Sequence, residues 1–185
     1  MYSRQKLIMT TERKLIEERT LLRRYAAGER NFARLCVSTM SIKNADLRDI
    51  NLSGSNLMGV DLSGTDFSNA NLSGANLIAT NLTNVNLTHA NLCKADLSGA
   101  ICTRANFSHA CLQKAILTAA IFSEANFYRV SIGVHNVAIV DSEIVLIAND
   151  FRGATNLFAL NPGTFLYRTF WEDGRFFDEP TWMEQ

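Results

Sequence analysis

Read in steps of five from Ile42, the chain places an apolar residue at the centre of twenty successive units, through Leu47, Leu52 and onward to Val137, with Cys102 taken as apolar. At 47% hydrophobic content, chance would leave about half of those positions polar. The period therefore predicts a solenoid. Phe32 and Val37 extend the same phase backwards.

The rest of the unit is equally regular. A small or β-branched residue stands two places before the centre, as at Ala70, Ala75, Ala90, Ala95, Ala100, Ala105, Ala110, Ala115, Ala120 and Ala125. Asn or Asp precedes the centre in most units, and a polar pair such as Ser53-Gly54 or Ser73-Gly74 follows it, so the consensus reads A-(N/D)-L-S-G. On these residues the segment Ala45 to Ala110 resembles the pentapeptide-repeat family. The resemblance implies an all-β solenoid, a right-handed quadrilateral parallel β-helix with four units per coil and about five to six coils. It also implies that the centre and the small residue point inward while the other three face solvent.

An inward pair of one large and one small side chain per face suits a narrow square tube. Each buried Leu or Phe is worth roughly 1.5–3 kcal/mol, and because no coil buries its own core, stability comes from stacking. Five coils at about 4.8 Å per rung give a tube on the order of 24 Å long. Residues twenty apart then form inward columns: Leu47, Phe67, Leu87, Phe107, Phe127; Leu52, Leu72, Leu92, Leu112, Ile132; Leu57, Leu77, Leu97, Leu117, Val137; and Ile42, Leu62, Leu82, Cys102, Phe122. Cys102 reads as a small partner for Phe122, not a reactive thiol. His135 at an inward small position and Ser142 at the next centre mark where the rule fails, with Leu146, Phe151 and Ala154 compatible with one slipped turn. The predicted organisation is an N-terminal cap over 1–30, the β-helix over 31–155 and a C-terminal cap over 156–185.

The N-terminal arm predicts a helix from about Thr11 to Ala27, with Thr10 or Thr11 as N-cap and Gly28 as the stop. Leu15, Leu21, Leu22, Tyr25 and Ala26 supply an apolar face that would cover the first coil; the basic character of the helix also suits an anionic membrane or phosphate surface. The stretch Leu21 to Phe32 is similar to the lead-in of cyanobacterial members of the family. At the other end, Thr164 to Trp171 alternates like a strand, Asp173-Gly174 is a turn signal and Arg175 to Asp178 a returning strand. Phe165, Tyr167, Phe170, Trp171, Phe176, Phe177 and Trp182 concentrate there. They read as a plug over the last coil, or as an interface for a partner or a homodimer.

Charge changes the picture along the axis. Residues 1–40 hold nine Lys and Arg against four acids, 41–140 six of each, and 141–185 three against eight. The start lacks the apolar core of a signal peptide, no apolar run is long enough for a membrane span, and Cys36, Cys93, Cys102 and Cys111 match no zinc spacing. A cytoplasmic, reduced setting fits these features. The sequence contains no glycine-rich phosphate loop after a strand, no nucleophile elbow and no Cys and His pair in a plausible pocket, and a packed tube has no cleft. No catalytic, cofactor or metal residue is therefore assigned, and the chain reads as no enzyme.

Two sets of outward residues depart from the consensus. The Asn/Asp position is apolar at Ile101, Cys111, Ile116 and Ile121, with Ile101 and Ile121 on one face and the other two on neighbouring faces, a candidate patch for another protein. Asp49, Asn69, His89, His109 and Arg129 share one column, so the two histidines would stack about 5 Å apart. The functional expectation is a non-catalytic protein-interaction scaffold or regulator. The alternative drawn from the resemblance is a DNA-mimic-like effector of gyrase, which the six-to-six charge balance of residues 41–140 disfavours. The same balance argues against nucleic acid as a partner.

Overall fold

The computed structural model describes residues 14–37, 41–131, 145–147, 165–167, 169–170, 173–179 and 181–182. From Asn31↔Asn51 to Cys111↔Ser131, parallel bridges join residues twenty apart. Four five-residue units thus close one coil, and each coil lies in register on the next.

Every backbone N–H of a unit has a destination, as a water-poor stack of coils requires. Ala70 N donates to Phe67 O across a turn at 2.9 Å, Asn71 N to Ile50 O of the preceding coil at 2.9 Å, Leu72 N to Asn91 O of the following coil at 2.8 Å, and Gly74 N to Cys93 O at 2.9 Å. The fifth, Ser73 N, donates to the Asn71 side-chain oxygen at 3.1 Å. The same local bond recurs from Asn51, Asn56, Asp61, Asp66, Asn76, Asn81, Asn86, Asn91, Asp96, Asn106 and Asn126. That bond explains why a short side chain with an acceptor precedes each centre.

The turn explains the consensus glycine. Its third residue has positive φ, as at Gly54 (64°), Asn69 (60°), Gly74 (63°) and Ala79 (53°). This is the type II geometry, which glycine adopts without strain and other residues adopt at some conformational cost.

Centres and small residues are buried as the two-position rule requires. Polar replacements at the small position are satisfied internally: Ser55 Oγ donates to Phe32 O at 3.1 Å, Thr65 Oγ1 to Ile42 O at 2.7 Å and Thr80 Oγ1 to Leu77 O at 2.6 Å. In the later coils Phe107 stacks on Phe127 with ring centroids 5.0 Å apart, and Phe122 meets both edge-on. Cys102 is fully buried, and burial pushes its thiol pKa up, away from reactive thiolate chemistry.

The N-terminal arm differs from its expectation. Strand β1 (Lys14–Ile16) pairs in parallel with β2 (Leu35–Val37), and only then does helix α1 (Glu18–Ala26) begin. Glu17 is the N-cap, without a side-chain capping bond, while Thr10 and Thr11 lie outside the described residues. The free edge of the first coil explains the shorter helix, because Lys14–Ile16 satisfies it with a strand that a helix from Thr11 would forgo. Leu21 is fully buried within the same core as Phe32 and Leu35, with Leu22 and Tyr25 packed against it, whereas Ala26 is exposed. Tyr25 Oη donates to Arg48 O of the first coil at 2.9 Å.

Beyond Ser131, Ile132, His135, Val137, Ser142, Phe151 and Ala154 lie outside the described residues. Strand β3 (Val145–Ile147) pairs in parallel with β4 (Phe165–Tyr167), placing Leu146 opposite Leu166, the twenty-residue step again. Of the expected strand Thr164 to Trp171, β4 pairs elsewhere, and β5 (Thr169–Phe170) pairs antiparallel with β6 (Phe176–Phe177) around Gly174 at φ 87°. A further strand, β7 (Thr181–Trp182), pairs antiparallel with β4.

Three substitutions separate these contributions. Leu72→Ala is expected to lower stability by about 2–5 kcal/mol through the cavity it leaves. Asn71→Ala, which removes only the acceptor for Ser73 N, lowers it by about 1 kcal/mol. Gly74→Ala also lowers it by about 1 kcal/mol, since its φ is positive although nothing lies within 4 Å of the added Cβ. Denaturant or thermal melts of the three variants check the ranking.

Candidate interaction surface

Each unit exposes one residue on a flat face and two at a corner, so the tube presents four faces and four edges. Three edges carry ionisable groups: Arg34, Lys94 and Lys114 on one, Lys43, Arg104 and Glu124 on the next, and Arg48, Asp49, His89, His109 and Arg129 on another. The fourth runs Met58-Gly59, Ile78-Ala79, Ser98-Gly99, Thr118-Ala119, without an ionisable residue among the described positions.

Ile101 and Ile121 are bridged partners on the face beside this fourth edge, and Ile116 lies on its other side. Met58 is 57% exposed, Ile101 43% and Ile121 49%, in a tube whose other large apolar side chains are mostly inside. The result is an apolar band along the uncharged edge. Cys111 does not join it, because its column of Asn51, Asn71 and Asn91 occupies the face opposite Ile101 and Ile121. Reading along the chain misses Met58 and Ile78, which look like isolated apolar residues. Reading in steps of twenty through 58, 78, 98 and 118 would have found them.

At all four apolar departures the side chain differs from Asn or Asp in what it offers the turn. Ile101, Ile116 and Ile121 have no side-chain acceptor for the N–H two residues on, and the sulfur of Cys111 is a weak one. Of the charges around the band, Arg104 Nε lies 2.7 Å from Glu124 Oε2 of the next coil and Lys43 Nζ 2.8 Å from Asp61 Oδ2, while Asp96 is bridged to Ile116 and Lys94 and Lys114 stand exposed on the edge beyond it. Lys43, reinforced by Ser63, holds the Asp61 carboxyl down at about 2.

The polar column forms as the arithmetic predicts. His89 and His109 stack with ring centroids 4.7 Å apart and 19° between planes. Tyr128 meets His109 edge-on at 5.7 Å, and Arg129 lies over the Tyr128 ring at 5.3 Å. Asn69 continues the column towards Asp49, two coils from His89, so no carboxylate of this column adjoins the imidazoles. Among the described residues no group of three or more His, Cys, Asp or Glu is placed to hold a metal ion.

Of the C-terminal aromatics, Phe165, Tyr167, Phe170, Phe176, Phe177 and Trp182 have strand backbones, and Phe176 is 47% exposed. Trp171 lies outside the described residues. No helix among the described residues is long and apolar enough to cross a membrane.

Comparison with known proteins matches the model of pentapeptide repeats, in eight copies, to residues 42–74, 70–101 and 100–132. A pentapeptide repeat protein of Nostoc PCC 7120 is 33% identical, covering 65% of this chain and 84% of its own, with a TM-score of 0.29. One from the cyanobacterium Cyanothece 51142 is 28% identical over 48% of this chain and 64% of its own, with a TM-score of 0.25. One from the thylakoid lumen of Arabidopsis thaliana is 25% identical over 60% and 64%, with a TM-score of 0.30. The chain thus spans 64% of the length of the latter two. No curated protein matches it.

The Lys43–Asp61 pair gives a signed pH dependence. With the folded-state pKa of Asp61 lowered to about 2, its stabilisation is present above the ordinary carboxyl range and is lost as pH falls towards 2. Thermal melts are expected to show Lys43→Ala less stable than the parent chain near neutrality, with the gap closing as pH falls from about 5 to about 2.

Proposed function

The chain belongs to the pentapeptide-repeat family, and on that premise we propose that it is a non-catalytic scaffold or regulator that binds another protein along its uncharged edge. The observation that carries this reading is the apolar replacement at Ile101, Ile116 and Ile121, where the fold itself favours a side-chain acceptor. Isoleucine there offers the turn no acceptor. A partner surface that excludes water has a use for its side chain.

In this reading α1 and β1 close the first coil as a cap over the N-terminal end. The C-terminal aromatics Phe165, Tyr167, Phe170, Trp171, Phe176, Phe177 and Trp182 close the other end or join two copies. The repeat region takes the span 31–155 between end regions 1–30 and 156–185. The column of Asp49, Asn69, His89, His109 and Arg129 is assigned as a polar flank of the shaft, and Cys111 as a surface residue outside the apolar band. A cytoplasmic location suits the four cysteines of the chain.

A gyrase effector that mimics DNA is the alternative, and it calls for a dominant negative potential. Residues 41–140 carry six acids and six bases, with Arg104 and Lys43 each paired to a carboxylate. A gyrase supercoiling assay at stoichiometric protein separates the two readings.

The decisive experiment uses Ile101→Asn with Ile121→Asn. Each change restores the acceptor found elsewhere in the repeat, so the double variant is expected to melt at or above the parent temperature, by up to about 1 kcal/mol per site. Parent and variant are immobilised side by side and exposed to native cell extract. A protein held by the parent and lost from the equally stable variant supports the proposal. Identical retention by both overturns it.

A further inference from the structure

We propose that Cys93 and Cys111 form a redox-active dithiol, which a low-molecular-weight disulfide such as oxidised glutathione converts reversibly to a disulfide joining two successive coils. The inference is independent of the apolar band, whose edge is the next one round the tube, beyond the face of Asp96 and Ile116.

The register brings the two residues together. Asn91 is bridged to Cys111 of the next coil, Leu92 N donates to Cys111 O at 2.8 Å, and Cys93 follows at the corner. The Cys111 thiol lies near enough to the Cys93 thiol to contribute to raising it. The same eighteen-residue relation recurs one coil later, where Gln113 Nε2 reaches Ser131 Oγ at 3.3 Å, so the geometry brings side chains at these two positions into contact.

Composition at the two positions is equally particular. The column of Cys111 reads Asn51, Asn71, Asn91, Cys111, Ser131, and that of Cys93 reads Ser53, Ser73, Cys93, Gln113. Cys111 replaces the residue that would accept the bond from the N–H two positions on. Both thiols are half-buried at the surface, within reach of a small oxidant, whereas Cys102 is sealed in the core. Lys94 and Lys114 stand exposed on the same corner, favouring approach of an anionic disulfide such as oxidised glutathione.

The order of attack follows from the environments. Burial, and then the Cys111 thiol beside it, push the Cys93 thiol up to about 11, which casts Cys93 as the resolving thiol and leaves the first attack to its partner. The Cys111 thiolate attacks the oxidant, forming a mixed disulfide and releasing one glutathione thiolate. The Cys93 thiolate then attacks the Cys111 sulfur and releases the second. Two protein thiols lose two electrons and two protons in all; the oxidant gains the electrons and the released thiolates take up the protons. The product closes a covalent ring through residues 93–111 and limits the unfolded chain.

The test treats the purified full chain with oxidised glutathione, then counts thiols after denaturation, maps peptides by mass spectrometry and records Tm. The thiol count is expected to fall from four to two, with one Cys93–Cys111 cross-linked peptide, a Tm raised by several degrees, and full reversal by dithiothreitol. Cys93→Ser and Cys111→Ser should abolish the cross-link and the Tm rise, and Cys36→Ser should retain both. Cys111→Asn restores the consensus side chain, so a folded control exists even if a serine variant is unstable. Retention of four thiols overturns the proposal, as does glutathione held on a single cysteine without an internal cross-link, or a cross-link through Cys36.

Discussion

One backbone donor in every five-residue unit decides much of this chain. Four of the five N–H groups are used by the turn and by the ladders above and below, and the fifth, at the position after the centre, takes a side-chain acceptor one residue before the centre. An unpaired amide at each corner would be repeated down the tube, so the requirement is imposed on every unit. Asn and Asp meet it because their carbonyl oxygens reach a backbone N–H two residues on. The polar half of the consensus is thus a hydrogen-bond requirement, with solubility as a consequence.

The apolar half is a volume requirement shared between two positions. Where the small position carries Ile50, Val60 or Val85, the centres after them are Leu52, Leu62 and Leu87. Where the centres become Phe107, Phe122 and Phe127, the small positions are Ala105, Ala120 and Ala125. Cys102, the centre directly above Phe122 in its column, adds to the same exchange. A constant cross-section lets each coil seat on the next with the twenty-residue register intact. Broadening one position without narrowing another would disturb both neighbouring coils.

The tube was legible because its signal is local and repeated: period five gives the unit, and period twenty follows once four units close a coil. Stacked pairs such as Phe107 with Phe127 and His89 with His109 then come from addition alone. The start of α1 was not legible, because Lys14–Ile16 owes its strand to Leu35–Val37, a pairing that capping signals around Thr10 and Thr11 do not report. The hairpin at Asp173-Gly174 was legible from its turn, but the parallel pairing of Val145–Ile147 with Phe165–Tyr167 requires the twenty-residue step to be carried past the point where the apolar rule stops. Of the patch, Ile101, Ile116 and Ile121 were visible as broken consensus. Met58, Ile78 and the contact of Cys93 with Cys111 were not, since they emerge only when positions 20 or 18 residues apart are laid side by side.

A repeat this demanding makes its own exceptions informative. At an inward position a deviation is absorbed by a neighbour, as Thr65 and Thr80 are by backbone carbonyls, so it speaks only of packing. At the outward Asn/Asp position isoleucine offers the turn no side-chain acceptor and adds apolar surface to solvent, the latter unfavourable for the isolated chain. Such losses gather beside the edge without ionisable groups, and covering of that surface by the proposed partner would offset them. On the proposed function, stability of the tube and use of its surface are opposed at these residues, and strengthening the repeat there is expected to weaken association.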